Sequence, residues 1–292
     1  MVGIQRVLIV NPFASGVSER KLAGVQAALP AGTETVLTQA RGEATELAAE
    51  WSPRAEAIYV FSGDGTYNEV LNGIRADVSI GFIPGGGTSV LPRALGLPRD
   101  PARAAERIAH GKPRRISLGR LNGRRFAINA GVGFDAELVR RVDALGRSSD
   151  GKRAGDIAVA WTVVRTLAEH RLRYEPALEV EGLGRAAFAL IANCSPYTYA
   201  GHLGLRFVPD ASFEGGLDIV APVEVRPRAI LRLGAQALRG RPGGSGVLLG
   251  HDLDRIVIRC DKPLPVQVDG EDLGDVMEVE IVAERDALTV LT

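Results

Sequence analysis

Asp64 stands between two glycines in Ser62-Gly63-Asp64-Gly65-Thr66, directly after the apolar run Glu56 to Phe61 and before a segment with apolar Val70, Leu71 and Ile74. An apolar run entering a glycine turn that opens a helix can bring backbone N–H groups close to an anion, and the helix N-terminus adds positive potential. A carboxylate among such donors is accounted for as a metal partner, a proton acceptor or a helix cap. Two more stretches share this make-up. Asn11-Pro12-Phe13-Ala14-Ser15-Gly16 follows Val7 to Val10, and Pro84-Gly85-Gly86-Gly87-Thr88-Ser89 follows Ile80 to Ile83. The run Thr35 to Leu37 ends at Thr38. Far downstream, Val268-Asp269-Gly270-Glu271 places carboxylates on an Asp-Gly pair, a strong hairpin signal. Phosphoryl transfer uses such parts: backbone donors for phosphate, Mg²⁺, and a carboxylate to accept a hydroxyl proton.

The elements that must position these residues alternate. Strand-like Val7 to Val10, Thr35 to Leu37, Glu56 to Phe61 and Ile80 to Ile83 are interleaved with helical stretches through Leu22 to Leu29, Glu43 to Trp51 and Thr66 to Ile74. That order predicts a doubly wound, mostly parallel α/β domain whose ligands lie beyond the carboxyl ends of the strands. Three of those ends carry glycine-rich or hydroxylated loops. After Pro113 the strands come at short spacing, which predicts an antiparallel β domain. They are Ile116 to Leu121, Arg125 to Asn129, Ala177 to Glu181, Ala187 to Asn193, Leu217 to Ala221, Arg255 to Cys260, Val266 to Val268, Val276 to Val282 and Leu288 to Leu291. Two helical insertions, Asp156 to His170 and Pro227 to Arg239, interrupt it. The expected division is 1–117 and 118–286.

At 292 residues two domains are the first expectation, and a formal net charge of zero argues against a dedicated nucleic-acid binder. Two cysteines, Cys194 and Cys260, supply neither a disulfide framework nor a thiolate zinc site, so a reduced, cytoplasmic setting fits. No apolar run approaches a membrane span, and Met1 to Arg6 lacks a signal-peptide layout. Gly131-Val132-Gly133-Phe134-Asp135-Ala136 matches a dinucleotide fingerprint but is not followed by a parallel strand with an acidic tip. Gly146 to Lys152 has P-loop spacing, yet Arg153 replaces the required Ser or Thr.

Together these segments resemble the diacylglycerol-kinase catalytic-domain family, which includes bacterial lipid kinases and sphingosine and ceramide kinases. The resemblance runs through Asn11-Pro12 with Ser15-Gly16, Ser62 to Thr66 with Glu69 and Asn72-Gly73, Pro84 to Gly96, Asn129 to Asp135, Pro209-Asp210-Ala211 and Asp269-Gly270-Glu271. It implies a nucleotide-binding α/β domain followed by a β-sandwich lipid-substrate domain, with the tail 287–292 returning to the first. It further implies ATP and Mg²⁺ as cofactors. Asn11, Ser15, Gly16 and Thr38 would hold nucleotide. Ser62, Gly63, Asp64, Gly65 and Thr66 would cradle phosphate and metal, with Glu69 supporting the turn. Asp269 or Glu271, less readily Asp64, would accept the proton of a lipid hydroxyl.

The sequence departs from the family pattern in two loops. In Gly86-Gly87-Thr88-Ser89, Gly87 stands where threonine is usual and Ser89 where asparagine is usual. The loop Glu214-Gly215-Gly216-Leu217-Asp218 lacks a carboxylate of the family's structural Mg²⁺ site. The resemblance therefore implies an ATP-dependent lipid kinase, with two alternatives: a soluble-substrate kinase like the NAD kinases, or a nucleotide-binding module with little transferase activity. The partner expected is a lipid, without nucleic acid. A peripheral membrane contact through Arg226, Arg228, Arg232 and Arg239 is weighed against an ordinary surface helix, which is the more expected.

Overall fold

The structure, a computed structural model, describes residues 5–145, 156–227 and 246–292. The helix expected over Pro227 to Arg239, with its arginines beyond Arg226, and the stretch Gly146 to Lys152 lie outside the described residues. The chain forms two compact units, Met1–Ile116 with Asp286–Thr292 and Ser117–Arg285.

The first unit is built on parallel strands β1 (Gln5–Val10), β2 (Glu34–Leu37), β3 (Ala55–Ser62) and β4 (Ser79–Pro84), in the order β2-β1-β3-β4. Val7 to Val10, Ile58, Val60, Phe61, Ile80, Phe82 and Ile83 are completely buried. Such unbroken apolar runs are what a parallel sheet covered on both faces requires. Helix α1 (Glu19–Ala28) packs against α5 (Pro101–Ala109), and α2 (Glu43–Trp51) against α3 (Asp64–Gly73). The second pair is close because Gly73 has no side chain; a Cβ there would lie 2.2 Å from the Thr45 carbonyl oxygen. A short helix, α4 (Val90–Ala94), follows the third glycine loop.

The second unit is antiparallel. Its strands are β5 (Pro113–Leu121, begun in the first unit), β6 (Arg124–Phe126), β7 (Asn129–Val132), β8 (Leu178–Val180), β9 (Gly184–Ala186), β10 (Ala189–Ala192), β11 (Thr198–Ala200), β12 (Leu203–Leu205), β13 (Leu217–Pro222), β14 (Val247–Leu253), β15 (Arg255–Val268) and β16 (Glu271–Leu291). Strand β15 pairs with β8 near its start and with β7 near its end. Side chains from both ends, including Ile258, Val266 and Val268, enter one core with Leu178, Ile191 and Ile219. Helices α6 (Phe134–Ala144) and α7 (Asp156–Glu169) pack on each other.

Two pairs of strands expected as separate are single. Arg255 to Cys260 and Val266 to Val268 merge into β15, with register irregularities between Arg259 and Leu264 where Pro263 lies. Proline lacks the ladder N–H, so the sequence breaks the pattern where the strand only bulges. Val276 to Val282 and Leu288 to Leu291 merge into β16, whose Thr289 and Val290 run parallel with Ser79 and Ile80 of β4. The strand expected over Arg125 to Asn129 is instead divided between β6 and β7. Strand β7 pairs antiparallel with both neighbours, which removes the parallel unit a dinucleotide fingerprint needs.

Candidate active site

Three strand ends of the first unit are held together by backbone. Gly16 N–H donates to the Gly85 carbonyl at 2.8 Å, and Gly85 N–H donates to that of Ser62 at 2.6 Å. Side chains are sterically barred from these contacts. A Cβ on Gly16 would sit 2.7 Å from the Gly85 oxygen, and one on Gly86 would sit 2.8 Å from the Gly63 Cα. Glycine is required here because one backbone lies against another. By contrast a Cβ on Gly65 would meet nothing within 4 Å, and one on Gly87 only the Ser15 hydroxyl at 3.8 Å. The loops are tight where they touch each other and open where Gly65, Gly87 and Ser15 border them.

Side chains tie the same loops from behind. The Thr66 hydroxyl oxygen accepts from the Asn11 amide at 3.1 Å and from the Ser62 hydroxyl at 2.8 Å. Ser62 is completely buried. The Tyr67 hydroxyl lies 2.7 Å from the Ser62 carbonyl oxygen and 2.6 Å from that of Ile83, joining the ends of β3 and β4. Burial pushes the Tyr67 phenol well above its ordinary range, so it stays a neutral donor. Thr38, buried at the end of β2, donates its N–H to Val10 at 2.8 Å.

Asp64 is not the cap of its own helix. Gly63 holds that position, and α3 begins at Asp64. The carboxylate instead accepts from the N–H groups of Val90 at 3.1 Å and Leu91 at 3.2 Å. These open α4, whose preceding residue, Ser89, is left-handed at φ 46° and accepts from Gly86 N–H through its hydroxyl at 3.1 Å. Serine thus closes the loop where asparagine is usual, and Thr88 is exposed beside it. Glu69 does not join the network; its carbonyl accepts the Thr45 hydroxyl at 3.0 Å.

Asp269 and Glu271 lie in the second unit. Asp269 and Gly270, at φ 48° and 78°, form the tight turn between β15 and β16, with Val268 opposite Glu271. Positive φ at both central residues is the hairpin geometry for which Asp-Gly is suited. The Asp269 carboxylate accepts from the N–H groups of Ala127 (2.9 Å), Ile128 (2.8 Å) and Asn129 (3.1 Å). Glu271 pairs with the Arg124 guanidinium.

Sequence reasoning missed what stands under this turn. Gln267, buried, accepts from Gly270 N–H at 2.8 Å and donates to Asn129 (3.0 Å) and Asp135 (2.6 Å). Asp135 also accepts from the Tyr197 hydroxyl at 2.8 Å. Burial raises the Asp135 carboxyl against those bonds. The only signal in the sequence was a lone glutamine in an apolar run, Val266-Gln267-Val268.

At the glycine loops a Mg²⁺ ion would find one carboxylate, Asp64, whose two oxygens accept backbone N–H groups, while in the Glu214 to Asp218 loop the buried carboxylate is engaged by a side chain as well. Mg²⁺ is commonly held by one or two carboxylates with substrate phosphates, and Asp64 offers one beside the glycine loops. Among the described residues no group of three His, Cys, Asp or Glu side chains could hold a metal ion by itself. In the loop, buried Asp218 is taken by His251 Nδ1 at 2.8 Å and Asp252 N–H at 2.9 Å. Asp252 accepts Gly216 N–H and pairs with Arg285 at 3.0 Å. Asp218 and Asp252 are thus engaged by the protein's own imidazole and guanidinium groups.

A parallel α/β unit with glycine loops at its strand ends and an antiparallel unit with a carboxylate turn make up the chain. Residues 5–121, which include most of the first unit, match the diacylglycerol kinase catalytic domain. It is 29% identical over 246 residues to a diacylglycerol kinase of Bacillus subtilis (strain 168), spanning 82% of this chain and 79% of that one. Over 105 residues it is 38% identical to a diacylglycerol kinase of Staphylococcus saprophyticus, 35% of this chain and 34% of that one. A crystal structure of a diacylglycerol kinase from Bacillus anthracis superposes with a TM-score of 0.72 at 20% identity, over 98% of this chain and 96% of that chain, which shows the common fold. Among the described residues no helix is long and apolar enough to cross a membrane.

Proposed function

We propose that the protein transfers the γ-phosphoryl group of ATP to a lipid hydroxyl of the diacylglycerol or sphingoid type, acting from the cytoplasm on lipid at the inner membrane face. The observation that carries this reading is the backbone contact of Gly16 with Gly85 and Gly63 with Gly86, which gathers three loops around the open sides of Gly65 and Gly87. Backbone donors there would hold the nucleotide phosphates, with Asn11, Ser15, Gly16, Thr38, Ser62, Gly63, Thr66, Gly86, Thr88 and Ser89 forming the site. Asp64 would hold the Mg²⁺ that offsets charge on the transferred group. Asp269 is the proposed proton acceptor, because three backbone N–H groups fix its carboxylate on a rigid turn. Glu271 then serves as the partner of Arg124.

Purified protein incubated with γ-labelled ATP, Mg²⁺ and a total lipid extract should yield labelled lipid. Asp64→Asn and Asp269→Asn should each lower turnover by about 10²–10⁴, the usual worth of a placed acid–base group or charge stabiliser. Full turnover in both variants would sink the mechanism. Label in a soluble acceptor would replace the lipid reading with a soluble-substrate kinase, and nucleotide binding without transfer would leave only a binding module.

A further inference from the structure

Helix α6 grips both strands of the hairpin that ends in the Asp269 turn. Gln267 of β15 and Asp272 of β16 stand opposite each other in the ladder, and each is bonded to a side chain of this helix. Asp135, in the first turn of α6, accepts from Gln267 at 2.6 Å. Arg140 donates to both oxygens of Asp272, through Nε at 2.8 Å and Nη2 at 3.0 Å. The same Nη2 donates to Asp275 at 2.6 Å. A two-point pair of guanidinium and carboxylate fixes orientation as well as distance.

The contact straddles an irregularity in β16. Pro265 faces Asp275 and Gln267 faces Asp272, so two steps along β15 answer three along β16. The extra residue makes a bulge out of Leu273, which packs against the core of the second unit, and Gly274, left-handed at φ 90°. That φ is what calls for glycine. Asp272 also accepts Gly274 N–H at 3.1 Å, so one carboxylate both closes the bulge and meets Arg140. A bulge bends its strand and re-aims what adjoins it, and here the neighbour, across Glu271 and Gly270, is Asp269. The helix is itself braced against α7, where Arg141 bridges Glu137 (2.6 Å) and Glu169 (2.5 Å).

We infer that Arg140 is a positioning residue for the Asp269 carboxylate: by holding Asp272 and Asp275 on either side of the bulge, it sets the direction of the hairpin tip. The inference rests on the reading of Asp269 as proton acceptor. Stability is a poor account of the contact. The Arg140, Asp272 and Asp275 side chains are 38%, 26% and 47% exposed, and ion pairs so open to water add little to folding. Aim is a better account, because misplacing a reacting group by about 1 Å lowers turnover about a hundredfold. Without Arg140 the carboxylates of Asp272 and Asp275 would also repel each other across the bulge.

The test uses the intact protein with γ-labelled ATP, Mg²⁺ and a total lipid extract in detergent micelles, and measures amide hydrogen exchange on the same samples. Arg140→Met should lower the apparent kcat about 10- to 100-fold while KM for ATP stays within about twofold, since the nucleotide loops belong to the other unit. Exchange should quicken at the Gly270 amide and at those of Ala127, Ile128 and Asn129, the groups bonded to the turn. Arg140→Lys keeps the charge but not the fork, so it should restore kcat in part. Asp272→Asn should lower kcat in the same direction, and adding it to Arg140→Met should lower it no further, because both remove one contact. It also stands in should Arg140→Met fold poorly. Wild-type kcat in both Arg140→Met and Asp272→Asn, a rise in KM for ATP as large as the fall in kcat, or unchanged exchange at the turn would overturn the inference. If the wild type labels no lipid, the lipid-kinase reading is rejected and exchange alone decides the clamp. Quickened exchange then keeps Arg140 as the hold on the turn, and unchanged exchange removes it.

Discussion

The glycine-loop edge of the first unit and the Asp269 turn of the second both hold a carboxylate in a fixed place, by opposite means. At the loops, backbone supports backbone: Gly16 lies on Gly85, Gly63 on Gly86, and Asp64 is oriented by the N–H groups of Val90 and Leu91. At the turn, buried side chains support backbone: Gln267 holds Gly270, and Asp135, Tyr197 and Asn129 hold Gln267. The first device is sensitive to volume and the second to hydrogen-bonding capacity. Adding a methyl group should therefore be worst at the loops, and removing a polar group worst at the turn.

The largest effect that would sharpen this contrast is Asp269→Ala, which deprives three N–H groups of a charged acceptor. A loss of about 3–5 kcal/mol in urea unfolding is expected. Asp269→Asn retains an acceptor oxygen, so it should lose much less stability while still losing turnover. Equal destabilisation by both would break the distinction between support and chemistry. Gly86→Ala should cost about 1–3 kcal/mol and weaken nucleotide binding, because its Cβ meets backbone that cannot move aside. Isothermal titration with ATP checks the second part, and wild-type affinity would contradict the close-contact account. Tyr67→Phe should cost about 1–2 kcal/mol by leaving the Ser62 and Ile83 carbonyls without their shared donor.

The smallest effect concerns His251. Its hydrogen bond to Asp218, with the charge of that carboxylate, raises the imidazole above its ordinary value. A raised folded-state value means the stabilisation is complete below the unfolded value of about 6.5 and is lost as pH rises through the folded one. Unfolding midpoints between pH 6 and 9 should therefore decline for the wild type and flatten in His251→Gln. Added Mg²⁺ should leave both curves unchanged if side chains have replaced the ion in that loop.

This contrast also explains what the sequence could reveal. Contact between backbones demands glycine, and glycine is visible, so Gly16, Gly63, Gly85 and Gly86 could be found without coordinates. The Asp-Gly turn at Asp269 was legible for a similar reason, since positive φ restricts the residue type. Gln267, Asp135 and Tyr197 carry no local signature; they become partners only when strands distant in the chain pair. For Asp64 the sequence left metal partner, proton acceptor and helix cap open, because the N–H groups it accepts from, those of Val90 and Leu91, are 26 and 27 residues away. Proline and charged residues within β15 and β16 resembled strand ends because local composition does not reveal a ladder that continues past a bulge.

Strand β16 has a consequence for how the protein is made. Residues from Asp286 onward complete the first unit's sheet, yet a ribosome produces them after all of Ser117–Arg285. The unit that emerges first therefore waits longest with β4 as a bare edge, exposed to pairing with other nascent chains. A premature stop shortly before Asp286 would make that waiting state permanent, and its expected fate is aggregation rather than a soluble, inactive enzyme.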